Sequence, residues 1–284
     1  MAARRTTPGT VLLSLAALLC FAGNSILCRR GLGAQLIDAA SYTTTRVVSG
    51  ALVLALLVAA RGRKSEVRRA GGWAGGASLF AYAALFSYAY LRIPAGTGAL
   101  ILFGMVQITM LSWSIYSGSR PTPFEWTGLV TAGAGLVALT FPGLRAPDAV
   151  GAASMGAAGI AWGIYSLLGR GATDPLATTA KNFLRALPLT LVLSVATLSW
   201  AHVSGLGLVL AAASGGIASG IGYSLWYAAL AGLTATRAAI VQLSVPALTA
   251  AAGALLLGEA LELRTTLAGV VILAGIGVSM MGRK

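Results

Sequence analysis

Tyr82, Phe86 and Tyr90 recur at every fourth position of the stretch YAALFSYAY, so on a helix they share one face. Phe21, Trp162 and Tyr165 stand in two further apolar stretches. Six such rings do no covalent chemistry, but they can bind. A wall of aromatic faces takes up apolar and aromatic solutes, and the same rings would equally fill the core of a helix bundle. Trp162 is the first candidate for solute contact and Tyr82 the second. Uncharged polar groups accompany them: Asn24, Ser25, Gln107, Thr109, Ser166, Asn182, Gln242 and Ser244. These can orient the amino and carboxyl groups of a small solute, or hold helices to one another. Pro246 interrupts an apolar run. It kinks a helix, either for packing alone or to turn freed carbonyls toward a cavity or gate.

Covalent catalysis lacks its parts. There is no His/Asp/Glu or Ser/His/Asp set, and no GxxxxGK[ST] loop for a nucleotide. Every acid (Asp38, Glu66, Glu125, Asp148, Asp174, Glu259 and Glu262) falls at or beyond the end of an apolar run, and the single histidine, His202, falls in a connection. Ion-coupled carriers commonly hold a carboxylate or histidine at mid-membrane. Its absence makes passive, gradient-driven movement the simplest expectation. Cys20 and Cys28 are eight apart on one run. On a helix that is about 12 Å, beyond disulfide reach. Both are expected to be packing residues, and neither a metal nor a cofactor is expected.

The elements that must position these residues are membrane spans. The chain is 57% hydrophobic and 10% charged, against about 25% charged in soluble domains, so lipid is its solvent. A mean hydropathy of +0.84 agrees. Ten apolar runs are long enough to cross a bilayer: 10–28, 41–60, 72–91, 95–117, 124–142, 150–168, 178–198, 206–230, 234–256 and 264–282. None alternates as a β-barrel strand does, so all ten are read as helices. The run after MAARRTTPGT is read as a first span rather than a cleaved leader. The 37 glycines, including Gly159/Gly163 and Gly216/Gly220, are read as close-packing positions. Trp73, Tyr116, Trp126, Trp200 and Trp226 fall near span ends, where interfacial rings rest.

A net charge of +13 would suggest nucleic acid in a soluble chain. In a membrane chain it reports orientation instead. With the N-terminus in the cytoplasm, thirteen basic residues fall inside and five (Arg29, Arg30, Arg92, Arg145 and Arg264) outside. Both termini are therefore expected inside. Arg46, Lys181 and Arg185 lie within two turns of a span end. They are read as structural residues that snorkel, although one of them could meet a carboxylate.

The two halves repeat. CFAGNSILCRRG and AWGIYSLLGRG align 141 residues apart. YAYLRIPAGTGALIL and YAALAGLTATRAAIV align 139 apart, and GLVTAGAGLVAL and GVVILAGIGVSM 141 apart. Five spans per half force the second to enter from the opposite side. Inverted repeats are a recurrent design of secondary transporters, with the substrate near the midplane.

The segment SVPALTAAAGALLLGEALELRTTLAGVVILAGIGV, Ser244 to Val278, resembles the end of an EamA-type domain of the drug/metabolite transporter superfamily. The likeness rests on the proline within a span, the GE pair near its end and the glycine-rich last span. It extends over two domains, 1–145 and 146–284. The first departs from it, with Gln107 opposite Pro246 and Arg120 opposite Glu259. The nearest likeness is to the YddG-like bacterial exporters of aromatic and other neutral amino acids. The resemblance implies an all-α, ten-helix membrane protein around a central cavity that carries small metabolites outward. The expected substrate-cavity residues are Trp162, Tyr82, Phe86, Tyr165, Phe21, Asn24, Gln107, Gln242 and Ser244, with Pro246 as a kink or gate. Expected partners are a small molecule and the bilayer, with no nucleic acid. Nothing in the sequence requires a second copy, so a monomer suffices. A different cargo, such as a cationic drug, would favour a buried acid that the sequence lacks. A membrane enzyme or scaffold leaves the inverted halves unexplained.

Overall fold

The computed structural model describes residues 7–62, 72–118, 122–141, 146–169, 172–230, 233, 241–242 and 244–281. The basic residues Arg4, Arg5, Arg63, Lys64, Arg68, Arg69, Arg120, Arg145, Arg170, Arg237, Arg283 and Lys284, on which most of the charge asymmetry rests, lie outside them, as does Glu66. The described residues form helices α1 (Pro8–Gly33), α2 (Ala39–Ala60), α3 (Trp73–Tyr90), α4 (Ala95–Tyr116), α5 (Pro123–Thr140), α6 (Ala149–Leu168) and α7 (Pro175–Ala196). A 3-10 turn, Leu198–Trp200, precedes α8 (Gly205–Ala213). That helix runs through a π-helical stretch (Ser214–Ile221) into α9 (Gly222–Leu230). Then come α10 (Ser244–Leu257) and α11 (Leu263–Met281). Each expected apolar run coincides with one of these rods to within a few residues, except that 234–240 and 243 lie outside the described residues. Among the described residues five rods are long and apolar enough to cross a membrane: α1, α2, α4, α6 and the α8–α9 rod.

The acids have local tasks. Asp38, Asp148 and Asp174 cap the N-termini of α2, α6 and α7, accepting from the backbone N–H groups of Ser41, Gly151 and Ala177. Thr122 and Glu125 form a capping box on α5. Burial opposes ionisation of Asp38. The hydrogen bonds that it accepts from Ser41 and from the His202 backbone outweigh this and hold its carboxyl below the usual carboxylate range.

Packing is close where glycines meet. α5 lies along α11, and a Cβ on Gly275 would sit 2.8 Å from the Gly128 carbonyl oxygen. α2 crosses the π-helical stretch with Gly50 facing Gly215. Gly159 and Gly163 bring α6 against Leu102 and Thr109 of α4. Gly216 and Gly220 receive Val53, as close-packing positions should. Trp73, Tyr116, Trp126 and Trp200 are exposed at rod ends, whereas Trp226 is buried. Trp226 therefore belongs to the interior and not to the interfacial belt, because α9 turns that face toward Phe21.

One end of the bundle is tied by cross-chain contacts. Arg29 Nε donates to Glu259 (3.0 Å) and its Nη1 to the Tyr90 carbonyl (2.9 Å), while the Ala95 N–H donates to the other Glu259 oxygen (2.8 Å). At the same end Arg92 pairs with Asp148, Arg264 donates to the Ala138 and Phe141 carbonyls, and the Ser204 N–H donates to the Leu36 carbonyl.

Candidate functional site

Two adjoining chambers occupy the middle of the bundle. The larger, about 390 Å³, is bounded by Trp162 and Tyr165 of α6, Thr178, Thr179 and Asn182 of α7, Tyr223, Trp226 and Tyr227 of α9, Phe103 of α4, and Gln242. It runs out to exposed Gly169 and to Ala172, at the end opposite Arg29 and Glu259. The smaller, about 30 Å³, lies deeper, between Asn24 and Ser25 of α1, Tyr82 and Phe86 of α3, and Ser219 of the π-helical stretch. Phe21, Phe103, Trp162, Tyr223 and Gln242 border both chambers.

Trp162 is the hub. Its ring stacks on Tyr165 (5.1 Å between centroids, 27°) and on Tyr223 (5.5 Å, 20°), and tilts against Tyr82 at 4.7 Å. Phe21 touches Tyr223 and Trp226, both at 5.9 Å. Tyr82, Phe86 and Tyr90 form the expected column along α3, with centroids 5.3 and 4.7 Å apart. Tyr90 closes it at the tied end, donating its hydroxyl to the Ala95 carbonyl. Stacked and edge-on rings hold one another in place, so the wall is formed before a solute arrives.

The lining is aromatic and polar, and no charged side chain is among the described residues that line it. Thr179 and Tyr227 share a hydrogen bond of 3.0 Å. Asn24 receives the Ser214 hydroxyl on Oδ1 (2.6 Å) and donates Nδ2 to the Tyr82 hydroxyl (3.4 Å). A cavity of this volume suits a solute of amino-acid size, and its few hydroxyls and amides suit a neutral or dipolar one.

Of the expected residues, Phe21, Asn24, Tyr82, Phe86, Trp162, Tyr165 and Gln242 meet here. Gln107, Ser244 and Pro246 do not line either chamber. Gln107 is half-buried elsewhere on α4. The Ser244 hydroxyl turns back to the Val241 carbonyl, and Pro246 is buried in the first turn of α10. Their positions along the chain gave depth, but the rotation of each helix turns them aside. Tyr223 and Phe103 are not among the expected residues, although the repeat points to both. Tyr223 stands 141 residues after Tyr82, as Trp162 stands 141 after Phe21. Phe103 stands 139 before Gln242. Arg46 does not snorkel as expected. Instead it is 2% exposed, donates Nη2 to the Tyr82 hydroxyl (3.1 Å) and lies 5.1 Å from the ring centroids of both Tyr82 and Phe86.

The model of the EamA-like transporter family matches residues 150–281. The uncharacterized protein PA1977 of Pseudomonas aeruginosa is 50% identical over 274 residues, covering 96% of this chain and 95% of that protein. The threonine/homoserine exporter RhtA of Escherichia coli K12 is 29% identical over 257 residues, covering 88% of this chain and 84% of RhtA. A solved crystal structure, 19% identical, superimposes with a TM-score of 0.68 over 99% of this chain and 100% of its own length, and so has the same fold.

Proposed function

The chain belongs to the EamA-like transporter family, and we propose that it exports aromatic and other neutral amino acids from the cytoplasm by alternating access. The observation that carries this reading is the cavity: of amino-acid size, walled by rings, with no charged side chain among the described residues that line it, and reaching Gly169 and Ala172 at one end of the bundle.

In this reading residues 1–145 and 146–284 are five-helix repeats of opposite topology, and both termini are cytoplasmic. The packing supports it. α3 lies against α6 as α1 lies against α8 and α9, and α4 lies against α6 as α10 lies against α1, each pair joining the two halves. The cavity then opens inward, past Gly169, and the Arg29–Glu259 end is the closed outer gate. Glu259→Gln weakens that closure by removing the ion pair. The expected result is several-fold faster labelling of a cysteine at Ser25 by a membrane-impermeant maleimide added outside, in a chain with Cys20 and Cys28 replaced by serine. Unchanged labelling would speak against a gate at this end.

A monomer in a bacterial inner membrane is sufficient for such a carrier. Movement is down the substrate gradient, since every acid falls at or beyond the end of a span. The test is efflux from proteoliposomes loaded with single amino acids, with and without a pH gradient. Efflux of phenylalanine or another neutral amino acid without a gradient supports the reading, and uphill movement on a pH gradient alone removes its passive part. Failure to move any amino acid would overturn it. The likeness to RhtA favours a second cargo, the small hydroxylated amino acids threonine and homoserine. Competition against phenylalanine efflux separates the two.

A further inference from the structure

Arg46 carries a charge that transport of a neutral solute leaves without a task. It stands two turns into α2, buried, and no carboxylate within ion-pair distance of it is found among the described residues. Its Nη1 has no hydrogen-bond partner. Two aromatic faces and one hydroxyl hold the guanidinium, where a structural arginine at this depth would be paired with an acid. An arginine keeps its proton under all ordinary conditions, so this end of the cavity is permanently positive.

The hydroxyl of Tyr82 transmits that charge. It accepts from Arg46 Nη2 and from Asn24 Nδ2, which fills both of its lone pairs. Its own proton has no acceptor among the described residues, and Tyr82 lines the small chamber. Asn24 is held in the donating orientation by the Ser214 hydroxyl on its oxygen. The chamber therefore offers a phenolic O–H and an amide N–H backed by a fixed cation, in space for one small polar group.

We propose that the small chamber receives the carboxylate of the transported solute. Arg46 acts as a positioning residue through Tyr82 and makes the cavity select amino acids, or other carboxylates, over organic cations of the same shape. The solute's side chain then lies in the larger chamber against Trp162. This rests on the transporter reading above.

The test uses the purified full chain and two series of probes: phenylalanine, phenylalaninamide and phenethylamine, and threonine with its amide. Binding is read from the ligand-induced rise in melting temperature, and transport from competition in proteoliposomes. The free acid of at least one series is expected to bind about tenfold or more tightly than its amide. Arg46→Gln should bring that ratio near one, and Arg46→Lys should restore part of it. Equal binding of acid and amide by the unaltered chain overturns the proposal, as does an unchanged ratio in Arg46→Gln. If Arg46→Gln does not fold, Tyr82→Phe decides: it keeps the ring and removes the proton donor, and an unchanged ratio there also overturns the proposal. Movement of acid and amide alike leaves the exporter reading standing without this one. Movement of neither, in either series, removes both.

Discussion

Gly215→Ala is expected to cost about 3 kcal/mol or more of stability, and Gly215→Leu to leave no monodisperse protein after extraction. The Cβ of any residue at 215 would overlap the Arg46 carbonyl oxygen and the Ser49 hydroxyl, with the Arg46 carbonyl carbon only 2.7 Å away. The obstacle is backbone on a rigid helix, so no side-chain rotation relieves it. On the other side a Cβ on Gly50 would run into the Phe183 ring and lie 3.1 Å from the Gly215 carbonyl oxygen. The two glycines thus set the distance at which α2 and the π-helical stretch cross. That distance fixes Arg46 beside Tyr82 and Ser214 beside Asn24. Gly23→Ala is the control. Nothing lies within 4 Å of its Cβ, and alanine in a helix interior is favoured over glycine by about 0.8–1 kcal/mol, so this variant should be no less stable. Melting temperatures read from the loss of monodisperse protein on heating check both. If Gly215→Ala melts with the unaltered chain, the crossing is not as close as described.

Trp162→Ala is expected to lower efflux at least about tenfold while the protein stays folded. Truncating a central aromatic contact typically costs about 2 kcal/mol or more of binding. Here the ring touches Tyr82, Tyr165 and Tyr223 together. Removing it merges the chambers and leaves three neighbouring rings without their common support. Trp162→Phe keeps a smaller face and should fall between the two. Half-buried Trp162 borders the cavity and leaves the wholly buried core beneath it intact, so the melting temperature should drop far less than transport. Equal efflux from Trp162→Ala and the unaltered chain would assign the ring to packing alone.

Much of this was legible in the sequence, and the reasons differ by residue. Among the described residues the apolar runs became helical rods because in lipid a backbone must satisfy its own hydrogen bonds, so length and hydropathy suffice. The column of Tyr82, Phe86 and Tyr90 was legible because helical spacing fixes which residues share a face. The meeting of Phe21 with Trp162 and Tyr223 was latent in the 141-residue repeat, since related halves bring related faces to one axis.

What the sequence could not decide was the direction in which each face points. Gln107 and Pro246 occupy suitable depths, and the rotation of α4 and the start of α10 turn them from the chambers. Trp226 stands near a span end but faces Phe21. Arg46 shows the same thing most plainly: two turns from the end of α2 it had reach enough to snorkel, yet the packing of α2 on α3 and on the π-helical stretch turns it inward. Depth in the bilayer is a property of one helix and its own residues. Azimuth is set by which distant helix packs against it, through contacts such as Gly50 on Gly215, and those exist only once the whole bundle has formed.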